Sequence, residues 1–144
     1  MIMGRISRAF ALLLLTASGC SGLDSTAQIY DASEVDTPPE LIGGIEGIIS
    51  AMEGSCMGYR SEIEGMVIVE VVVDVTGSLY RDDEGFQHLF IVSGIGAGWD
   101  EEVLSTFREH AAFTTGRLDG TPVQVRLTID VPIRLEDFED PCPA

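Results

Sequence analysis

The last part of the chain has the most regular alternation of apolar and polar residues. The apolar positions are Val123, Val125, Leu127, Ile129, Val131, Ile133 and Leu135, and the residues between them are Gln124, Arg126, Thr128, Asp130, Pro132 and Arg134. A period of two is typical of a strand with one buried face. Pro132 cannot donate a ladder hydrogen bond, so its side of the strand is expected to be a sheet edge or to lie past the paired region.

A second alternating run, from residue 65 to residue 80, predicts the first strand of a sheet. One face carries the valines at positions 67, 69, 71, 73 and 75, and the other carries Met66, Ile68, Glu70, Val72 and Asp74. One apolar face and one mixed face suit an antiparallel sheet that is covered on one side. Turn signals follow at residues 76–78 and 81–85, and residues 86–93 are predicted to return as the second strand.

Helical spacing replaces the alternation in two places. Trp99, Val103, Leu104, Phe107 and Ala111 form one amphipathic stripe, behind a first turn that is acidic at positions 100–102. Residues 40–52 predict a weaker helix, because three glycines interrupt its apolar positions. The order helix, strand, strand, helix, strand predicts an α+β domain in which two helices cover one face of a three-stranded antiparallel sheet.

The N-terminus has the features of an export signal. Arg5 and Arg8 precede an apolar run over residues 9–17, which is shorter than the ~20 residues that span a bilayer. The run ends in Ala-Ser-Gly-Cys20, which resembles the lipobox of bacterial lipoproteins. This resemblance implies a signal peptide at 1–19, a lipidated Cys20 and a periplasmic chain anchored to the outer membrane. The alternative is an ordinary secretory peptide that is cut near the same place.

The remaining segments are predicted from composition. Residues 20–37 are polar and small and predict a flexible tether, residues 38–136 form the domain, and residues 137–144 form an acidic tail. In an oxidising compartment Cys56 and Cys142 would be an even pair, which predicts a disulfide; two free buried thiols are the alternative.

The charge of the chain limits its partners. It has 8 basic residues, 24 acidic residues and a net charge of −16. Such a field repels nucleic acid and anionic lipid headgroups, so neither is expected to bind, and the only membrane contact expected is the lipid anchor. An adaptation to high salt, where self-repulsion is screened, would explain the same composition without any bearing on function.

Three segments together resemble the C-terminal domain of the TonB family. Residues 37–48 resemble its N-terminal segment, residues 63–79 its glycine-led first strand and turn, and residues 92–135 its second helix and final strand. The last segment contains the join F-x-x-G-x-x-x-G-x-P-V over residues 113–123. The chain departs from the family at Thr115, where proline is usual, and in the expected lipid anchor, which replaces a membrane helix and a Pro-rich spacer.

The resemblance implies a protein-binding role without coupling to a membrane motor. In this family a receptor peptide adds as a strand to the sheet edge. The residues expected to bind are Val123, Val125, Arg126, Leu127, Thr128 and Ile129. The expected partner is an outer-membrane receptor, another envelope protein or a second copy, and the function is a lipid-anchored module associated with outer-membrane transport. The alternatives are a self-associating structural lipoprotein and a blunted edge that binds nothing.

The sequence contains no recognisable catalytic motif. His88 and His110 are its histidines and they fall at element ends, and no serine or cysteine lies on a nucleophile elbow. The glycine-rich stretch 94–98 lacks a lysine and precedes three acids, which disfavours phosphate. The acidic turn at 81–85 lacks the ligand spacing of a calcium loop. We therefore predict no enzyme activity, no metal and no cofactor.

Overall fold

The computed structural model describes residues 28–53, 62–96 and 98–138. Its elements in chain order are β1 (Ile29–Asp31), α1 (Gly44–Glu53), β2 (Gly65–Val73), β3 (Leu89–Ser93), α2 (Trp99–His110), β4 (Arg117–Leu118), β5 (Thr121–Pro122) and β6 (Gln124–Ile133), with short 3-10 turns at Ala32–Glu34 and Leu135–Phe138. Cys20, Cys56 and Cys142 lie outside the described residues, so the lipidation and the disulfide stay predictions.

The sheet is mixed and has four strands in the order β1-β6-β2-β3, and β4 pairs with β5 in a separate small sheet. Strand β2 is antiparallel to both of its neighbours, and its pairing with β6 runs without a slip from Gly65↔Ile133 to Val73↔Val125. The α+β class with two helices is confirmed. The prediction of a three-stranded antiparallel sheet matches only in part: β6, β2 and β3 are antiparallel, but β1 adds a fourth strand that is parallel to β6.

The extra strand comes from the segment for which the sequence predicts a flexible tether. Three residues are too few to give a periodic signal, and acidic and small residues follow them. The end of the segment is also held: the main-chain N–H groups of Asp36 and Thr37 both donate to the carbonyl of Arg117 at 3.1 Å, and the Asp36 carboxylate accepts the Asp119 N–H at 2.7 Å. The folded part therefore begins before residue 38.

The core lies between the helices and one face of the sheet. That face contributes the odd-numbered residues of β2 and β6, and the helices add Ile48, Met52, Trp99, Val103 and Phe107. Full burial of each large side chain stabilises the fold by ~1.5–3 kcal/mol. Val75, which the alternation places on the same face, is 45% exposed because the strand ends before it and a turn begins.

The C-terminal end of the domain also packs on this core. The sequence predicts an acidic tail from residue 137, but Leu135–Phe138 form a 3-10 turn. The ring of Phe138 lies 4.9 Å from that of Trp99, centroid to centroid. The predicted tail therefore begins with residues that belong to the fold.

The join between α2 and β6 is held by close packing around Gly116. A glycine after a helix often takes a left-handed conformation, but the left-handed residues of this join are Asp119, with φ 50°, and Gly120, with φ 78°, and not Gly116. A Cβ atom added at Gly116 would lie 2.6 Å from Cγ2 of Val125 and 3.1 Å from the ring of Pro39. Glycine is needed at residue 116 because there is no space for a side chain.

Candidate strand-accepting edges of the sheet

The face of the sheet that points away from the helices carries a polar row across β1, β6 and β2, and the row ends at His88, the residue before β3. Arg126 lies 3.7 Å from the carboxylate of Asp31 and 3.5 Å from Oε1 of Glu70, and the same Oε1 lies 3.1 Å from Nε2 of His88. The His88 ring packs edge-on against Phe90 at 4.7 Å. Asp31, Glu70 and Arg126 are all partly exposed, so water screens their ion pairs and each pair stabilises the fold only weakly.

Hydrogen bonds of Val72 show which main-chain groups point toward each neighbouring strand. Val72 donates its N–H to the carbonyl of His88 at 3.2 Å and accepts from the N–H of Tyr80 at 2.8 Å. Directions alternate along an antiparallel strand, so even-numbered residues of β2 bond toward β3 and odd-numbered residues bond toward β6. By the same alternation, even-numbered residues of β6 point their N–H and C=O groups toward its outer edge.

The outer edge of β6 is half occupied. Strand β1 pairs with Gln124–Arg126, and the 3-10 turn Ala32–Glu34 that follows it also contacts β6. Beyond this turn the edge carries no further strand among the described residues. Thr128 and Asp130 therefore point their main-chain groups outward there, and no hydrogen bond joins them to another described segment. Pro132 follows and lacks an N–H, which lets it face outward while β6 stays in register with β2.

The structure divides the six residues that the sequence predicts to bind a partner. Val125 is fully buried, and Leu127 and Ile129 pack against the core, so these three offer no free side chain. The other three lie at the surface of the join or the edge. The N–H of Val123 donates to the carbonyl of Gly116 at 3.0 Å, Arg126 is beside β1, and Thr128 is exposed on the open part of the edge.

Among the described residues, no strand pairs with the outer side of β3, which is a second open edge of the sheet. His88 accepts from β2, so alternation directs the main-chain groups of Leu89 and Ile91 away from the sheet. Two apolar side chains of this strand, Phe90 and Val92, are 53% and 58% exposed. Phe90 is opposite Glu70 on the open face, whereas Val92 is the unpaired residue of a bulge. The sequence gives no direct signal for this edge, because the alternation does not show which strand lies outermost.

An open cleft lies where the chain enters β3. It has a volume of about 420 Å³, and its walls include Tyr80, Asp82, Phe86, Phe90 and Arg108. Phe86 is 67% exposed. Asp82 stabilises the turn that precedes β3, because its Oδ1 accepts hydrogen bonds from the N–H groups of Glu84 and Phe86 at 3.0 and 2.8 Å. The cleft therefore combines phenyl rings with charged groups of both signs.

Within the described ranges, no cluster of side chains has the composition of a metal site. No group of three or more His, Cys, Asp or Glu side chains in residues 28–53, 62–96 and 98–138 could hold a metal ion. The amides before α2 are engaged by the chain itself, because the Asp100 carboxylate accepts the N–H groups of Ile95 and Gly96 at 3.0 and 3.2 Å. His110 is exposed at the end of α2, 3.8 Å from Glu109.

Neither helix in the described part of the chain has the length and apolarity that crossing a membrane requires. Comparison with protein-family models, with curated proteins and with solved structures finds no match to this chain.

Proposed function

We propose that this protein is a TonB-like protein-binding module that is associated with outer-membrane transport and binds its partner by strand addition. The observation that carries the proposal is the outer edge of β6 beyond β1. Thr128 and Asp130 direct main-chain donors and acceptors outward there, and these groups have no described partner. An added strand would satisfy them, since unpaired edge groups are a template for pairing with another chain.

The pairing of β1 with β6 supports this use of the edge. Ile29 and Tyr30 are half buried beside residues 124–126, so the first part of the edge already accepts an extended segment. The 3-10 turn Ala32–Glu34 follows β1 and contacts β6, so an incoming strand would lie beyond this turn, along residues 128–131. Its length is limited, because Pro132 ends the series of donors.

The periplasmic location and the lipid anchor at Cys20 rest on the export signal and the lipobox-like sequence. A lipid anchor would hold the module close to outer-membrane receptors. It would supply no membrane helix through which a motor could transmit force, so we propose binding without motor coupling. The competing function is a self-associating structural lipoprotein. In that case the β6 edge would bind a second copy of this chain instead of an outer-membrane protein.

Crosslinking from the edge in intact cells tests the proposal. A photo-crosslinking residue at Thr128 faces the open edge, whereas the same residue at Glu109 on α2 is exposed and remote from it. We expect the Thr128 position, and not the Glu109 position, to capture an outer-membrane protein. Recovery of only a second copy of this chain would contradict the transport role and favour self-association.

A further inference from the structure

We infer that the outer edge of β3 is a second docking surface, which accepts an extended protein segment that carries a lysine or arginine. This surface is separate from the β6 edge, and it would exist whether or not the proposed transport role is correct. The cation would lie in the cleft at the start of β3, and the apolar part of the segment would lie beside Phe90 and Val92.

The two edges of the sheet differ in how they are protected. The β6 edge is covered by β1 along three residues, and it then carries a charged Asp130 and a proline at 132. Charged side chains, prolines and covering segments are the usual devices that prevent an edge from pairing. The five residues of β3 include no charge and no proline. The β3 edge has a bulge opposite Ile68 and Val69, but otherwise lacks these devices.

The side chains next to the β3 edge are suited to covering by another strand. Phe90 on the open face and Val92 at the bulge are both more than half exposed. In an antiparallel or parallel addition, residues of the new strand would lie opposite them at ~4.5–5.5 Å between Cβ atoms, where aromatic and β-branched pairs stabilise a sheet. An apolar centre is therefore expected in the segment that binds.

Charge decides in favour of a basic segment. The turn before β3 carries three exposed acids, Asp82, Asp83 and Glu84, and one exposed cation, Arg81, whose guanidinium donates to the carbonyl of Gly85 at 3.2 Å. The exposed Phe86 and Phe90 rings line the same cleft as Asp82, and phenyl faces attract cations. Arg108 also lines the cleft, and its positive charge repels a lysine or arginine that enters. Removal of Arg108 is therefore expected to strengthen binding of the basic segment.

A second copy of this chain is a poorer occupant of the edge. It would bring the same net charge of −16 and the same acidic turn. Two like-charged molecules repel each other, and salt weakens this repulsion. Self-pairing would therefore strengthen as salt is added, whereas docking of a basic segment would weaken. This opposite dependence on ionic strength separates the two occupants.

The test uses two synthetic peptides of alternating valine and threonine, one with lysine at both ends and one with glutamate at both ends. Full-length protein is titrated with each, and amide hydrogen exchange is followed residue by residue. At low salt we expect the lysine peptide to bind at least ~10-fold more tightly. We expect it to protect the amides of Leu89 and Ile91, and we expect the difference between peptides to shrink at ~1 M salt.

Three variants locate the contact. Phe90→Lys places a positive charge beside the edge and is expected to reduce the affinity for the lysine peptide by ~10-fold or more. Met66→Lys makes the same change of charge on the same open face, one strand from the edge, at a residue that is 45% exposed; it should have a much smaller effect. Arg108→Gln should bind the lysine peptide more tightly than wild type. Circular dichroism confirms that each variant is folded.

Several results would overturn the inference. The first is that the two peptides bind equally well at low salt. The second is that peptide binding protects only the amides of Thr128 and Asp130. The third is that salt promotes dimerisation and that this protects Leu89 and Ile91 without any peptide. An equal loss of affinity in Phe90→Lys and Met66→Lys would also overturn it, because non-specific attraction would then explain the binding. None of these results shows which protein the β6 edge captures in cells. The β3 docking surface can therefore be refuted while the proposed transport role stands, and the reverse is also true.

Discussion

Replacement of Gly116 by alanine tests whether the join before β6 is set by close packing. The added Cβ would lie 2.6 Å from Cγ2 of Val125 and 3.1 Å from Cγ and Cδ of Pro39. Real Cβ atoms do not approach other atoms to 2.6 Å, so the strand, the proline or the join has to move. Val125 is fully buried between β1 and β2, and it cannot turn away into solvent.

The expected cost follows from the known effect of overfilling a packed core. Forced insertion of one methyl group costs ~1–3 kcal/mol, so the free energy of unfolding of Gly116→Ala should fall by about that amount. Urea denaturation followed by far-UV circular dichroism measures the change, and the slope of the transition shows whether both proteins unfold in the same way.

Gly47→Ala provides the matched control. Gly47 lies inside α1, and an added Cβ there would meet no atom within 4 Å. The same methyl group should therefore stabilise the protein by ~0.5–1 kcal/mol, because alanine has the higher helix propensity. A Gly116→Ala protein that is as stable as wild type would refute the packing account of the join.

Three further substitutions test the described contacts. Tyr30→Pro should release β1 from the edge of β6. The amide of Arg126 should then exchange faster with solvent, while the amide of Leu127 keeps its protection because it points toward β2. Equal acceleration of both would show that the sheet itself had opened. Asp100→Ala removes the acceptor for two main-chain N–H groups and should cost ~1–3 kcal/mol in urea denaturation; an unchanged midpoint would contradict this. Glu70→Gln should cost less than ~1 kcal/mol, because the ion pairs of this residue are partly exposed; a larger loss would mean that the polar row is a major stabilising feature.

The long elements of the fold could be predicted because each repeats its signal many times. The valines of β2, the alternation of β6 and the apolar stripe of α2 all describe real buried faces. The strand formed by residues 29–31 could not be predicted in this way, because three residues are shorter than any periodic pattern. Its position depends on a neighbour that is about 95 residues away in the chain, Gln124–Arg126.

The candidate site was predicted only in part for the same reason. The sequence indicates that β6 is long and that Pro132 faces an edge. It does not show that β1 covers residues 124–126. The join around Gly116 shows a related limit, because a glycine is found both where φ is positive and where a side chain has no space. The sequence shows a glycine in both cases, and only the packed structure shows whether a positive φ or a lack of space requires it.

Hydrogen exchange at two amides of β6 tests the central claim most directly. The N–H groups of Thr128 and Asp130 point to the open edge, whereas those of Ile129 and Val131 point to β2 and serve as internal controls. On addition of the segment of the protein captured in cells, the account predicts slower exchange at Thr128 and Asp130 and no change at the two controls. Tight binding of that segment with unchanged exchange at Thr128 and Asp130 would contradict strand addition at this edge.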